Sequence, residues 1–149
     1  MITDADMPEG YRLVDATEKL LLIQDTGQPD LLLQAELDED GNLIFSVQAE
    51  DLDTGRRGSV QGWVLFDLMI RHFGRGVRCI TAWWPKGTNH AMFHRLLSEG
   101  ATIHEAASNT WTAQQARCHG FLAVIVSLWT ATSPEGSVEV QFFRTEVVG

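Results

Sequence analysis

Positive charge is scarce in this chain. Eleven Lys and Arg face twenty Asp and Glu, a net charge of −9 over 149 residues. That balance excludes a broad nucleic-acid or anionic-membrane surface, since both need extended basic area. Cysteine is nearly absent: Cys79 and Cys118 are too few for a disulfide framework and read as a buried pair of thiols in a reducing compartment. Long hydrophobic runs are also missing. The longest, Phe121 to Val126, is far too short to cross a bilayer. The acidic first residues lack the basic flank and apolar segment of a signal peptide. A cytoplasmic protein is expected, without nucleic-acid or membrane partners; a secreted effector, or a module cut from a longer protein, is the alternative.

The composition otherwise suits one globular domain of the α/β (α+β) class, with Met1 to Gly10 polar and loose. Tyr11 to Val14 and Leu20 to Ile23 read as strands, and Leu31, Leu33, Ala35 and Leu37 alternate with polar positions as a third. Asp38 to Asn42 is a hairpin turn, because Gly41 and Asn42 tolerate positive φ. A fourth strand, Leu43 to Glu50, completes an antiparallel meander. A helix over Val60 to Phe73 and a strand over Val77 to Trp84 then predict a βαβ crossover with parallel strands in a mixed central sheet. In that helix Trp63, Phe66, Ile70 and Phe73 form an apolar stripe.

Asn89 to Glu99 reads as the next helix, stopped by Gly100. Thr102 with Glu105, and Thr112 with Gln115, have capping-box spacing and predict two short helices, the second ended by Gly120. Phe121 to Trp129 is continuously apolar, as in a central strand covered on both faces. Ser133 to Gly136 turns the chain into a final strand, on which Val138, Val140 and Phe142 share a face.

The residues that suggest chemistry lie between the fourth strand and the first helix. Nine of the eleven basic residues are arginines, and Arg56, Arg57, Arg71, Arg75 and Arg78 fall in the central third. In an acidic protein, such a cluster suits a small anionic ligand better than a polyanion. Arg56, Arg57, Gly58 and Ser59 stand just ahead of a helix, where unpaired amides and the helix dipole favour phosphate. The competing reading is an exposed turn whose arginines pair with Asp51 and Asp53.

The element order and this turn resemble the acyl-CoA N-acyltransferase (GNAT) superfamily. Its turn pattern is Gln/Arg-x-x-Gly-x-Gly/Ala. Here Arg57-Gly58-Ser59-Val60-Gln61-Gly62 supplies the first and last positions, with Val60 at the middle glycine. Asn89 and Gly100 match the family's next helix, but Leu96 stands where a tyrosine often lies. The resemblance implies acetyl-CoA or another acyl-CoA as cofactor. Arg56, Arg57, Gly58, Ser59 and Gly62 would hold its pyrophosphate, Asn89 would lie along the pantetheine arm, and Trp84 would also contact the cofactor.

It also implies a general base, for which Glu50 or Asp51 is best placed, and an acid that is usually tyrosine. Tyr11 is the chain's single tyrosine and lies far from the motif, so His94 or His90 would take the acid role. Thr26 to Pro29 leaves no room for the helices that build the family's acceptor pocket. The acceptor, a protein or a small amine, would therefore meet an open face, with a homodimer as one way to close it. A catalytically inactive, protein-binding module of the same fold is the second reading. From Val77 to Phe143 the chain also resembles a C-terminal module of bacterial polymorphic toxins, carried by Trp84, Asn89, Phe93, Gly100, Ala106-Ala107, Thr110-Trp111-Thr112, Ala116 and Gly120-Phe121.

No metal is expected. His90 and His94 share a helix face, but no glutamate follows the first, and His104, Glu105, Cys118 and His119 show no ligand spacing; two solvent-facing histidines are the simpler reading. Trp83 and Trp84 should point to opposite faces of their strand, one into the core. Thr110-Trp111-Thr112 reads as a capped, packed corner or as a pocket wall.

Overall fold

The computed structural model describes residues 1–27, 32–47, 62–84, 87–128 and 137–144. The chain is of the α+β class, with seven strands and four α-helices among the described residues. Its contacts group into two compact units, Met1–Arg78 and Cys79–Gly149.

The first unit contains the expected meander. Strands β1 (Tyr11–Ala16), β2 (Leu20–Asp25), β3 (Leu32–Leu37) and β4 (Asn42–Val47) pair in sequence, each antiparallel to the last. Leu21 lies opposite Ala35, Ile23 opposite Leu33, and Leu37 opposite Leu43. Leu21, Ile23, Leu33, Ala35 and Leu43 share one face and are fully buried, while Gln34, Glu36, Ile44 and Ser46 on the other face are exposed. Burying each Leu or Ile of that face contributes about 1.5–3 kcal/mol. Helix α1 (Gly62–Phe73) packs on β3 and β4, with Phe66 edge-on to Phe45 at 5.5 Å. Leu65, Phe66, Leu68, Met69, Ile70 and Phe73 are buried, but Trp63, expected in the stripe, is 52% exposed. The turn expected between the fourth strand and α1 falls in residues 48–61, outside the described residues.

The β3–β4 turn is built by Asp38. Its Oδ1 accepts the backbone N–H groups of Asp40 and Asn42, both at 2.9 Å, and Gly41 adopts φ +81°. The tip then docks on residues 76–78, where Arg78 N–H donates to the Gly41 carbonyl at 2.8 Å.

The first ten residues, expected to be loose, make specific contacts. Ile2 is buried and its N–H donates to His72 Nδ1, while His72 Nε2 lies 2.7 Å from the Thr17 carbonyl. One neighbour offers a donor and the other an acceptor, so the two contacts suit the tautomer with its proton on Nε2. Asp6 accepts the Thr3 N–H at 2.8 Å and meets Arg71 at 3.5 Å. The Thr3 amide, helped by Arg71, holds the Asp6 carboxyl below its usual range.

The second unit holds β5 (Cys79–Trp84), β6 (Phe121–Leu128) and β7 (Val138–Arg144), with α2 (Thr88–Ser98), α3 (Ile103–Ser108) and α4 (Trp111–Cys118). β7 pairs antiparallel with both β5 and β6. This corrects the expectation for Phe121 to Trp129: β7 is the central strand, β6 lies outside it, and Leu122 and Ile125 are exposed. The returning hairpin inserts its second strand beside β5, and that placement is invisible to a count of apolar residues. Ile80, Ala82, Trp84, Val124, Val138, Val140 and Phe142 are buried together with Phe93, Ala106, Ala107, Ala113 and Ala116 of the helices. The four alanines let α3 and α4 lie close to β6.

Candidate functional site

Within the second unit, the sequence-predicted residues that the structure describes lie along one path, from the end of β5 into α2 and across to α4. The two tryptophans split as expected, Trp84 buried and Trp83 59% exposed. Trp84 therefore serves the core, and its ring does not form an open wall. Gly87 begins the helix with φ 120°, and its carbonyl accepts Ala91 N–H at 2.9 Å.

Asn89 occupies the second position of α2 and reaches across to α4. Its Oδ1 accepts the Thr112 N–H at 3.0 Å, and its Nδ2 donates to Thr112 Oγ1 at 2.9 Å. Thr112 is buried, so this two-point clasp satisfies groups that water does not reach. It also corrects the expected cap. Thr110, not Thr112, caps α4 by accepting Ala113 N–H at 3.3 Å, and it donates to the Ala107 carbonyl at 3.0 Å. The pair of threonines flanking Trp111 thus divides two tasks: the first ends α3 and starts α4, and the second receives α2. Thr102 caps α3 as its spacing predicts, accepting Glu105 N–H at 3.1 Å. Asn89→Ala should lower stability by about 1–3 kcal/mol, because the buried Thr112 amide loses its acceptor. Urea denaturation measures this, and a loss below about 0.5 kcal/mol would mean that the clasp is dispensable.

One turn further along α2, His90 and His94 face each other, with Nε2 atoms 3.2 Å apart. Both are half-buried, against the expectation of two solvent-facing rings, because each lies against the other and Phe93 stands edge-on to His94 at 5.5 Å. His104 is exposed on α3, and among the described residues no three His, Cys, Asp or Glu gather as a metal cluster. Neither cysteine is in a disulfide; Cys79 is buried and Cys118 exposed, so only one of the two thiols expected inside lies there. Tyr11, set aside as an acid for its distance from the motif, is buried in β1 of the first unit.

Glu50, Asp51, Arg56, Arg57, Gly58 and Ser59 lie outside the described residues, and Gly62 is the first residue of α1. Of the remaining central arginines, Arg71 meets Asp6, while Arg75 and Arg78 line a cleft of about 540 Å³ in the first unit. Lys19, Glu18, Asp38, Glu39 and Asp40 share that cleft, and Lys19 approaches Glu39 at 3.8 Å. Mixed charge of this kind at the surface makes weak ion pairs and no anion hole.

The Asn89–Thr112 clasp was not legible beforehand. Its one sequence signal was a threonine left over once Thr110 is recognised as the cap.

Comparison with known proteins places only the fold. No protein-family model matches the chain, and no curated protein matches it. Among solved structures it is similar to a protein of unknown function from Aquifex aeolicus VF5, with a TM-score of 0.56 and 14% identity, over 95% of this chain and 76% of that one. Among the described residues, no helix is long and apolar enough to cross a membrane.

Proposed function

We propose that this chain is a binding module on an acyltransferase-like frame, and that it recognises a protein without using a thioester. The observation that supports this reading is the Asn89–Thr112 clasp. The side chain that the resemblance would assign to a pantetheine arm holds α4 with both its carbonyl and its amide. Trp84, which the resemblance would also place against the cofactor, lies in the core at 6% exposure. Val60 at the middle glycine of the phosphate pattern and Leu96 at the tyrosine position point the same way. An added Cβ narrows backbone approach to a pyrophosphate, and leucine cannot protonate a thiolate.

Thermal unfolding with CoA and with acetyl-CoA tests this directly. A ligand at a hundred times its dissociation constant stabilises by about 2.7 kcal/mol, so millimolar CoA should leave the transition unmoved if no site exists. A clear upward shift in the native chain, abolished in Arg57→Ala, would overturn the proposal. It would instead support acyl-CoA-dependent N-acyl transfer, with Glu50 or Asp51 as base and His94 as acid.

A further inference from the structure

We propose that the outer edge of β6 pairs with the β6 of a second copy of this chain, antiparallel about a twofold axis. In the second unit the strand order is β5-β7-β6, so β6 is hydrogen-bonded to β7 on one side only. Its other side presents a row of backbone N–H and C=O groups that bond no other strand or loop among the described residues. Water or another extended strand can satisfy such groups, and only a strand matches their spacing. Proteins that keep such an edge unpaired guard it with charge, proline or a bulge. β1, the outer strand of the first unit, is guarded in this way: it contains Arg12 and Asp15, and its register shifts between Leu13 and Asp15. β6 reads Phe-Leu-Ala-Val-Ile-Val-Ser-Leu, with neither charge nor proline. Its register shifts lie toward its two ends, between Phe121 and Ala123 and between Val126 and Leu128, so Ala123 to Val126 stay regular. Ala123 and Ile125 are exposed there, Ile125 at 52%.

Charge selects the occupant. The chain carries a net charge of −9, so two copies repel each other over most of their surface. They can approach closely only where no carboxylates are brought together, and β6 is a strand edge of that kind. A twofold axis normal to the sheet sets β6 against its own reverse, with like faces on the same side. Opposite positions are then a residue and its copy, or residues an even number of places apart. Ala123 and Ile125 therefore meet their own copies or each other's, and Val124 and Val126 do the same on the other face. Every one of these pairs is apolar, so the contact neither buries nor opposes a charge. A charged extended segment of another protein would set its charges against these apolar side chains. This inference goes beyond the binding-module reading and holds whether or not CoA binds, so its test and the thioester test fail separately.

Sedimentation equilibrium of the native chain, from micromolar to millimolar concentration at physiological salt, should show a reversible monomer–dimer equilibrium. Ile125→Lys brings like charges together near the axis and should weaken the dimer by roughly tenfold or more. Val14→Lys, at a 45% exposed apolar position of β1, should leave it unchanged. Should Ile125→Lys fail to fold, amide exchange in the native chain decides the matter. Exchange within Ala123 to Val126 should slow as concentration rises, while exchange within Leu13 to Asp15 should not. A monomer at every concentration, native dimerisation in folded Ile125→Lys, equal weakening by Val14→Lys, or β6 exchange that ignores concentration would overturn the proposal.

Discussion

Gly41→Ala should cost about 2–4 kcal/mol, a large share of the stability of a small protein. Two separate penalties combine at this position. Gly41 has φ +81°, a conformation in which any Cβ is strained by about 1–2 kcal/mol. An added Cβ would also meet the Gly76 carbonyl oxygen at 2.7 Å and the Arg78 Cγ at 3.0 Å. The oxygen is backbone, and Arg78 is bonded through its N–H to the Gly41 carbonyl, so neither yields cheaply. Gly74 supplies the control. It has φ +61° but nothing within 4 Å of an added Cβ, so Gly74→Ala carries the backbone strain alone. Denaturant midpoints of the two variants separate the terms. Equal losses would show that the hairpin tip does not press on residues 76–78.

The largest effect is expected for Phe142→Ala, about 3–5 kcal/mol. Phe142 is fully buried on β7, opposite Ile80 on one side and Val124 on the other. Removing its ring leaves a cavity on the central strand of the second unit, where neighbours on both sides are held in register and cannot collapse. Phe143, the next residue, is on the other face and half-buried, so Phe143→Ala should cost clearly less. Near-equal losses would contradict the face assignment of β7 and the strand order built on it.

These two positions show how unevenly the sequence can be read. The alternation of Val138, Val140 and Phe142 marks the buried face, since side chains on a strand repeat every two residues. The turn at Asp38 to Asn42 is equally legible, because an aspartate that bonds amides two and four residues on and a glycine at positive φ are local chemistry. Thr102 as a cap and Gly100 as a helix stop follow from the same logic. By contrast, the apolar run from Phe121 suggested a central strand, and the chain's return puts β7 there. Asn89 matched a family position, yet its partner is Thr112, 23 residues away. The polar N-terminus read as loose because the acceptor that holds Ile2 is His72, 70 residues along the chain.

Among the described residues, the sequence by itself determined the α+β class, the number and kind of strands and α-helices, and most of their buried faces and ends. Those follow from periodicity, capping and turn chemistry, all of which act over a few residues. Only the tertiary structure decided which strand is flanked on both sides, why Gly41 admits no side chain, and that Asn89 and the two histidines of α2 turn to particular partners. Such choices depend on which distant segments come into contact. Packing selects those contacts among many that a local pattern permits equally well.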